Sequence, residues 1–158
     1  MNQKVIITRG LSGSGKSTWS KKYVTEHKDF VRISRDDLRF MLHDGWLVEN
    51  DDAVFGSRAV LIDFFLDEGK NLILDETYLS PKRIKELNDE LEHYVRFFKP
   101  LMLDIEIKDF IDVPLATCLE RNSSRSVNYF VPEKFIEDYY EQYVKPLLKD
   151  PGVTKWTI

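Results

Sequence analysis

Apolar residues fall along this chain in short runs separated by longer amphipathic stretches, and the alternation predicts strands and helices in turn. Val5-Ile6-Ile7-Thr8 predicts a strand over about 4–9, followed by a Gly-rich loop and a helix over about 16–26. Phe30-Val31-Arg32-Ile33 predicts a second strand over about 30–34. It feeds a helix opened by Asp36-Asp37, whose acids suit the positive end of a helix dipole. A longer helix is expected over about 51–68, stopped by Gly69 in the helix C-terminal glycine position. The apolar strand Leu72-Ile73-Leu74 then closes on Asp75-Glu76-Thr77, and Pro81 fits the first turn of a helix running to about Tyr94. A further strand is expected within Leu101 to Ile107, a helix from Pro114 through Arg121, and a polar stretch from Asn122 to Asn128. Pro132 opens a final long helix to about Leu148, and Val153 to Ile158 predicts an edge strand.

Strands alternating with helices of ten or more residues predict an α/β fold with a mostly parallel sheet flanked by helices on both faces. Ligands in such sheets bind beyond the carboxyl ends of the strands, where every motif below falls. Without repeats or linkers, a single domain over 1–158 is expected. With 42% hydrophobic and 32% charged residues, the composition argues against bulk disorder. The lone Cys118 excludes an intrachain disulfide framework and is expected to pack as a small apolar side chain in a helix. His27, His43 and His93 lack metal-ligand spacing and read as solvated surface residues. No charged-then-apolar leader opens the chain and no apolar run could span a bilayer, so a soluble cytoplasmic protein is expected, with no membrane partner. The net charge of −4 argues against coating nucleic acid on a large scale but not against gripping its end with a few arginines.

Gly10-Leu11-Ser12-Gly13-Ser14-Gly15-Lys16-Ser17 satisfies the phosphate-loop pattern G-x-x-x-x-G-K-[ST]. Its glycines allow consecutive N–H groups to turn onto phosphate oxygens, and the following helix adds its positive end. Lys16 is a mobile charge for the β- and γ-phosphates, and the Ser17 hydroxyl can ligate Mg²⁺. A chance match arises on the order of once in a couple of hundred chains of this length. The placement directly between an apolar strand and a helical pattern selects nucleotide binding instead.

Three further stretches carry candidate chemistry. In Arg35-Asp36-Asp37-Leu38-Arg39, Asp36 and Arg39 share one helix face, where a carboxylate could take a hydroxyl proton while an arginine holds an anionic acceptor. The residues alone fit a helix N-cap with a solvated salt bridge equally well, and they do not choose between the two aspartates, although Asp37 reads as the structural acid. Asp75 or Glu76, at the end of an apolar strand, could order Mg²⁺ through water. Lys82 and Arg83 read as surface charge. Arg121 and Arg125 sit four apart where the chain turns polar, as a lid over about 121–131 would. Such arginines could close over phosphates, or could simply be an exposed basic helix end.

Taken together, Gly13-Ser14-Gly15-Lys16-Ser17-Thr18-Trp19, Arg35-Asp36-Asp37 with Arg39, Thr77 with Leu79 and Pro81, Asp112-Val113-Pro114, Arg121-Asn122-Ser123 with Arg125, and Val131-Pro132 resemble, in order, the kinase domain of the T-even bacteriophage 5′-polynucleotide kinases. The resemblance covers Val5 to about Pro146. It implies a P-loop kinase fold and transfer of the γ-phosphate of ATP, with Mg²⁺, to a DNA or RNA 5′-hydroxyl end. It implies nucleotide contacts from Gly13, Ser14, Gly15, Lys16, Ser17, Thr18, Arg121 and Arg125, and acceptor contacts from Arg39 and Thr77. It further implies Asp36 as general base, Arg39 on the phosphate 3′ of the acceptor nucleoside, and Lys16 and Arg125 neutralising the transferring group. A phage-encoded enzyme acting in the host cytoplasm is compatible with it. Homo-oligomerisation is not predicted.

Two departures stand out. Aligning on Pro81 sets Glu76 opposite the family's functional aspartate, whereas aligning on the apolar strand points to Asp75. The phage enzymes also continue into a phosphatase domain, for which this sequence is expected to have no room. Two other readings compete: a P-loop kinase of a small-molecule hydroxyl such as a nucleoside or sugar, and an ATP-hydrolysing switch in which Glu76 positions water.

Overall fold

A computed structural model describes residues 3–44, 51–97 and 103–149. Strand β1 (Gln3–Arg9) lies between β3 (Asn71–Leu74) and β4 (Leu103–Asp109), and β2 (Phe30–Ile33) flanks β3, giving the parallel order β2-β3-β1-β4. The apolar runs of β1 and β3 follow from this placement, because inner parallel strands are covered on both faces. Register aligns Val31, Leu72, Val5 and Ile105 in one row across all four strands. That face carries the main core, closed by Ile62 and Leu66 of α3 (Asp52–Asp67) and by Leu87, Leu91 and Tyr94 of α4 (Pro81–Phe97). Ile6 and Ile73, register partners pointing the opposite way, are also buried, so both faces are covered as expected. Each such residue removed from water contributes on the order of 1.5–3 kcal/mol. Strand β4 instead alternates, with Asp104 and Glu106 exposed and Lys4 of β1 reaching Glu106 at 2.8 Å.

Helix α1 (Lys16–Glu26) follows the Gly-rich loop, and α2 (Arg35–His43) follows β2. A second cluster joins Leu11 and Leu79 to Cys118 of α5 (Leu115–Ser123) and to Ile136, Val144 and Leu147. Cys118 is thus a fully buried helical packing residue. Pro114 and Pro132 occupy cap positions just ahead of α5 and α6 (Glu133–Tyr139). The expected final helix is interrupted by a π-helical turn at Tyr140–Val144 before α7 (Lys145–Lys149). Pro146 has no N–H and its ring crowds the carbonyl of Gln142. The widened turn, in which Lys145 N–H reaches Tyr140 O, accommodates it. Helix α4 runs three residues past the expected end, to Phe97. The edge strand expected at Val153 to Ile158 lies outside the described residues, as do Leu101 and Met102. Among the described residues no helix is long and apolar enough to cross a membrane.

Candidate active site

The Gly-rich loop leaves β1 at its carboxyl end and turns into α1 through three glycines with positive φ, Gly10, Gly13 and Gly15. Gly13 is fixed by space as well, since a Cβ there would sit 2.3 Å from the Cys118 carbonyl oxygen. The Ser14 hydroxyl is buried without a hydrogen-bond partner, an expensive arrangement unless the group is aimed at a ligand. Lys16 Nζ donates to the carbonyls of Gly10 (2.8 Å) and Leu11 (2.7 Å). Burial lowers its pKa to about 8, against the opposing pull of Asp75 and Asp36 and with a smaller push in the same direction from Arg125. Three other residues named from sequence thus lie near enough to act on the Lys16 charge. Ser17 and Thr18 are exposed at the start of α1.

Helix α2 brings the next group. Ser34 is its N-cap, accepting from the Asp37 N–H at 3.3 Å, so neither aspartate is needed for capping. Asp36 is left with a side chain 73% exposed and accepts from Arg39 Nη1 at 2.7 Å. Arg39 is nearly buried and held from its other edge by Asp51, with Nε at 2.8 Å from Oδ1 and Nη2 at 2.5 Å from Oδ2. Such a two-point grip fixes the guanidinium plane. The Arg39 hydrogen bond, set against the cost of burial, lowers the Asp51 pKa. Asp37 instead pairs with Arg32 Nη1 at 2.5 Å.

The two acids at the end of β3 are separated by their partners. Asp75 Oδ2 accepts from Arg32 Nε at 2.7 Å, while Oδ1 lies 3.4 Å from the Thr8 hydroxyl. Glu76 turns the other way, with Oε1 2.5 Å from Arg58 Nε and Oε2 3.7 Å from Arg35 Nη1. Arg58 also reaches Glu90 (2.5 Å) and the Tyr78 hydroxyl (2.6 Å). Burial raises the pKa of both Glu90 and Tyr78.

The segment after α5 lies against the loop. Arg121 Nη1 approaches the Gly13 carbonyl at 3.4 Å, and Arg125 Nη1 donates to Ser12 Oγ at 3.2 Å. Asn122, fully buried, ties the two ends of this segment by donating to Val131 O (2.7 Å) and accepting from Val131 N–H (3.1 Å). Tyr129 stacks on Phe40 of α2 with centroids 4.0 Å apart.

A cleft of about 290 Å³ brings Ser12 of the loop together with Asp36, Arg39, Asp51 and Thr77. Gly10 N–H bonds Thr77 O at 3.1 Å, which anchors that side of the cleft to the loop. Arg83, read from sequence as surface charge, also lines the cleft, with its guanidinium carbon 4.5 Å from the centroid of Phe55; Lys82 is exposed as expected. Sequence reasoning missed Asp51, Arg32 and Arg58, whose partners, apart from Asp37 of Arg32, are distant in the chain. Asn122 sits inside the Arg-Asn-Ser block, and a polar residue between two arginines set four apart was the available signal. Among the described residues no cluster of His, Cys, Asp or Glu could hold a metal by itself.

The sequence profile of a family described as "AAA domain" matches residues 5–146. A protein of Autographa californica nuclear polyhedrosis virus named "Putative bifunctional polynucleotide kinase/RNA ligase" is 26% identical over 160 residues, covering 91% of this chain and 21% of the viral protein. A chain in a structure of the Pnkp1/Rnl/Hen1 RNA repair complex superposes with a TM-score of 0.78 at 24% identity, over 99% of this chain and 47% of the other. The Mycobacterium tuberculosis APS kinase CysC, solved with AMPPNP and APS, superposes with a TM-score of 0.56 at 18% identity, over 78% of this chain and 70% of its own. The chain spans about a fifth of the viral relative and under half of the repair-complex chain.

Proposed function

The chain belongs to the AAA domain family, and on that footing we propose that it transfers the γ-phosphate of ATP to the 5′-hydroxyl end of a DNA or RNA strand. One observation carries the reading: a single cleft joins the phosphate loop, through Ser12, to Asp36, Arg39 and Thr77. The name of the viral relative, a polynucleotide kinase/RNA ligase, points the same way.

In this reading the triphosphate lies over Gly13 to Thr18. Ser14 Oγ, buried and otherwise unpartnered, donates to a phosphate oxygen. Asp36 accepts the proton of the 5′-hydroxyl as that oxygen bonds to the γ-phosphorus and the bond to the β,γ-bridging oxygen breaks. Arg39, held by Asp51, takes the phosphate 3′ of the acceptor nucleoside. Lys16, with Arg121 and Arg125 from the segment over the loop, offsets charge on the transferring group, and positions so close to the loop support that role.

The donor set fits a magnesium ion that is held mainly by phosphates and water, with few protein ligands. The Ser17 hydroxyl would ligate it, and Asp75 would hold it through water. Asp75 is favoured over Glu76 because it is the strongest opposite charge acting on Lys16, while both Glu76 oxygens face guanidinium groups. Such an ion would supply positive charge that offsets the charge on the phosphates. The engagement of Glu76 with Arg58 also counts against its positioning a hydrolytic water.

The test is transfer from γ-labelled ATP to a panel of 5′-hydroxyl DNA and RNA oligonucleotides, 3′-phosphorylated nucleosides, bare nucleosides and sugars. Oligonucleotides and 3′-phosphorylated nucleosides should be labelled far better than bare nucleosides. Better labelling of bare nucleosides or sugars would replace this reading with a small-molecule kinase. ATP turnover indifferent to any acceptor would replace it with a hydrolytic switch.

A further inference from the structure

The turn that brings Thr77 to the cleft is held in an uncommon backbone conformation. Tyr78 has a φ of 39°, in the left-handed region that a bulky side chain rarely enters. Among the described residues the other non-glycine case is Asp44, which closes a helix, where that conformation is ordinary. Tyr78 instead stands between β3 and α4 and is buried. Its ring enters the main core, while Leu79, next to it, enters the second cluster beside Leu11. The reversal at Tyr78 thus sends neighbouring side chains into separate cores.

A bulky residue stays in such a conformation only where its surroundings over-determine it. Arg58 of α3 supplies that constraint. Its Nη2 donates to the Tyr78 hydroxyl at 2.6 Å, its Nη1 donates to Glu90 of α4 at 2.5 Å, and its Nε lies 2.5 Å from Glu76 Oε1. A planar guanidinium can serve three directions at once in this way, and an ammonium group on a lysine stem cannot reproduce the geometry. The opposite side of the turn is fixed through its backbone. Glu76 N–H donates to the Thr8 hydroxyl at 3.2 Å, and the same hydroxyl donates back to Glu76 O at 3.0 Å. Gly10 N–H donates to Thr77 O at 3.1 Å. Thr77 is therefore pinned between the phosphate loop and the Arg58 cluster, and it lines the cleft together with Asp36 and Arg39. Arg58 stands behind the turn and does not line that cleft.

We propose that Arg58 is a positioning residue of the acceptor site: by holding Tyr78 in the left-handed conformation, it sets Thr77 against the phosphate loop where the incoming 5′ end must lie. The proposal rests on the 5′-hydroxyl kinase reading above.

Steady-state transfer to a 5′-hydroxyl oligonucleotide, with each substrate titrated in turn, tests it in three variants. Tyr78→Phe removes the hydroxyl alone, and Arg58→Lys keeps the charge without the fork. Each should raise KM for the oligonucleotide about 10-fold or more, with KM for ATP within about 2-fold of wild type. Asparagine enters the left-handed region readily without a brace. Arg58→Lys combined with Tyr78→Asn should therefore return KM for the oligonucleotide toward the wild-type value, although loss of the buried ring lowers its melting midpoint further. A merely structural role predicts the opposite order, with activity following the melting midpoint and both KM values moving together. The inference is overturned if Tyr78→Phe leaves KM for the oligonucleotide unchanged, if KM for ATP rises by the same factor, or if the double variant is no better than Arg58→Lys. Should Arg58→Lys fail to fold, Tyr78→Phe decides alone. A wild-type protein that labels no oligonucleotide would instead overturn the kinase reading itself, and that failure shows before any variant is compared.

Discussion

Asp51 holds the Arg39 guanidinium at Nε and Nη2, and Arg39 passes its remaining nitrogen, Nη1, to Asp36 at 2.7 Å. In the proposed reading, the acceptor clamp and the base are thereby positioned by a residue just ahead of α3, twelve positions from the arginine it orients. Asp51→Ala should free the guanidinium while leaving the phosphate loop intact. KM for a 5′-hydroxyl oligonucleotide should rise about 10- to 100-fold, with KM for ATP within about 2-fold of wild type. Steady-state titration of each substrate checks the split.

The same pair sets a stability difference with a defined sign. Arg39 lowers the Asp51 pKa below 3.8, so the native state binds fewer protons than the unfolded chain as the pH falls toward the lowered value. The stabilisation is present above about 3.8 and is lost as pH falls through the lowered native value. Melting midpoints of wild type and Asp51→Asn should therefore differ most at neutral pH and converge in acid. A gap that widens below pH 3.8 would contradict the pairing.

Asn122 closes the segment carrying Arg125 by a two-way exchange with Val131. Asn122→Ala leaves a partly buried carbonyl and N–H of Val131 unpaired, costing about 1–3 kcal/mol each at most. It should also let Arg125 leave Ser12, lowering kcat about 10-fold or more with a smaller change in ATP binding. Differential scanning calorimetry and kcat measured on the same preparation separate the two effects.

Gly13→Ala places a methyl group 2.3 Å from the Cys118 carbonyl at a φ of 84°. The loop must shift off α5, so nucleotide binding should weaken by about 1.4 kcal/mol or more, at least tenfold. Cys118→Ser leaves the carbonyl in place and should not rescue it. Equilibrium titration with a fluorescent ATP analogue reads both variants.

Much of this architecture was legible along the chain because the signals are local. Apolar runs bounded by Gly, Pro and acids set the strands, and a loop motif is by nature contiguous. Asp36 and Arg39 could be placed on one helix face because the spacing of three needs only helix geometry. The pairings that sort the acids could not be read. Arg32 claims Asp37 across the turn into α2 and, through the parallel β2–β3 register, Asp75 43 residues on, while Arg58 claims Glu76 only because α3 packs beside the end of β3. Arg83 shows the same limit, since a charged residue in an amphipathic helix looks solvated until its neighbour Phe55, on another helix, is known. The π-helical turn at Tyr140–Val144 had a sequence cause in Pro146, but a proline that far inside a helical pattern predicts a kink without saying how it is absorbed.

The most direct measurement is the rate of γ-phosphate transfer to a 5′-hydroxyl oligonucleotide by wild type and by Asp36→Asn, beside a matched oligonucleotide whose 5′-oxygen is methylated. Wild type should label only the free 5′-hydroxyl, and Asp36→Asn should lose about 100- to 10,000-fold in kcat while still binding ATP. Equal labelling of the methylated strand, or unchanged transfer by Asp36→Asn, would contradict the assignment of this cleft as a 5′-hydroxyl kinase site with Asp36 as its base.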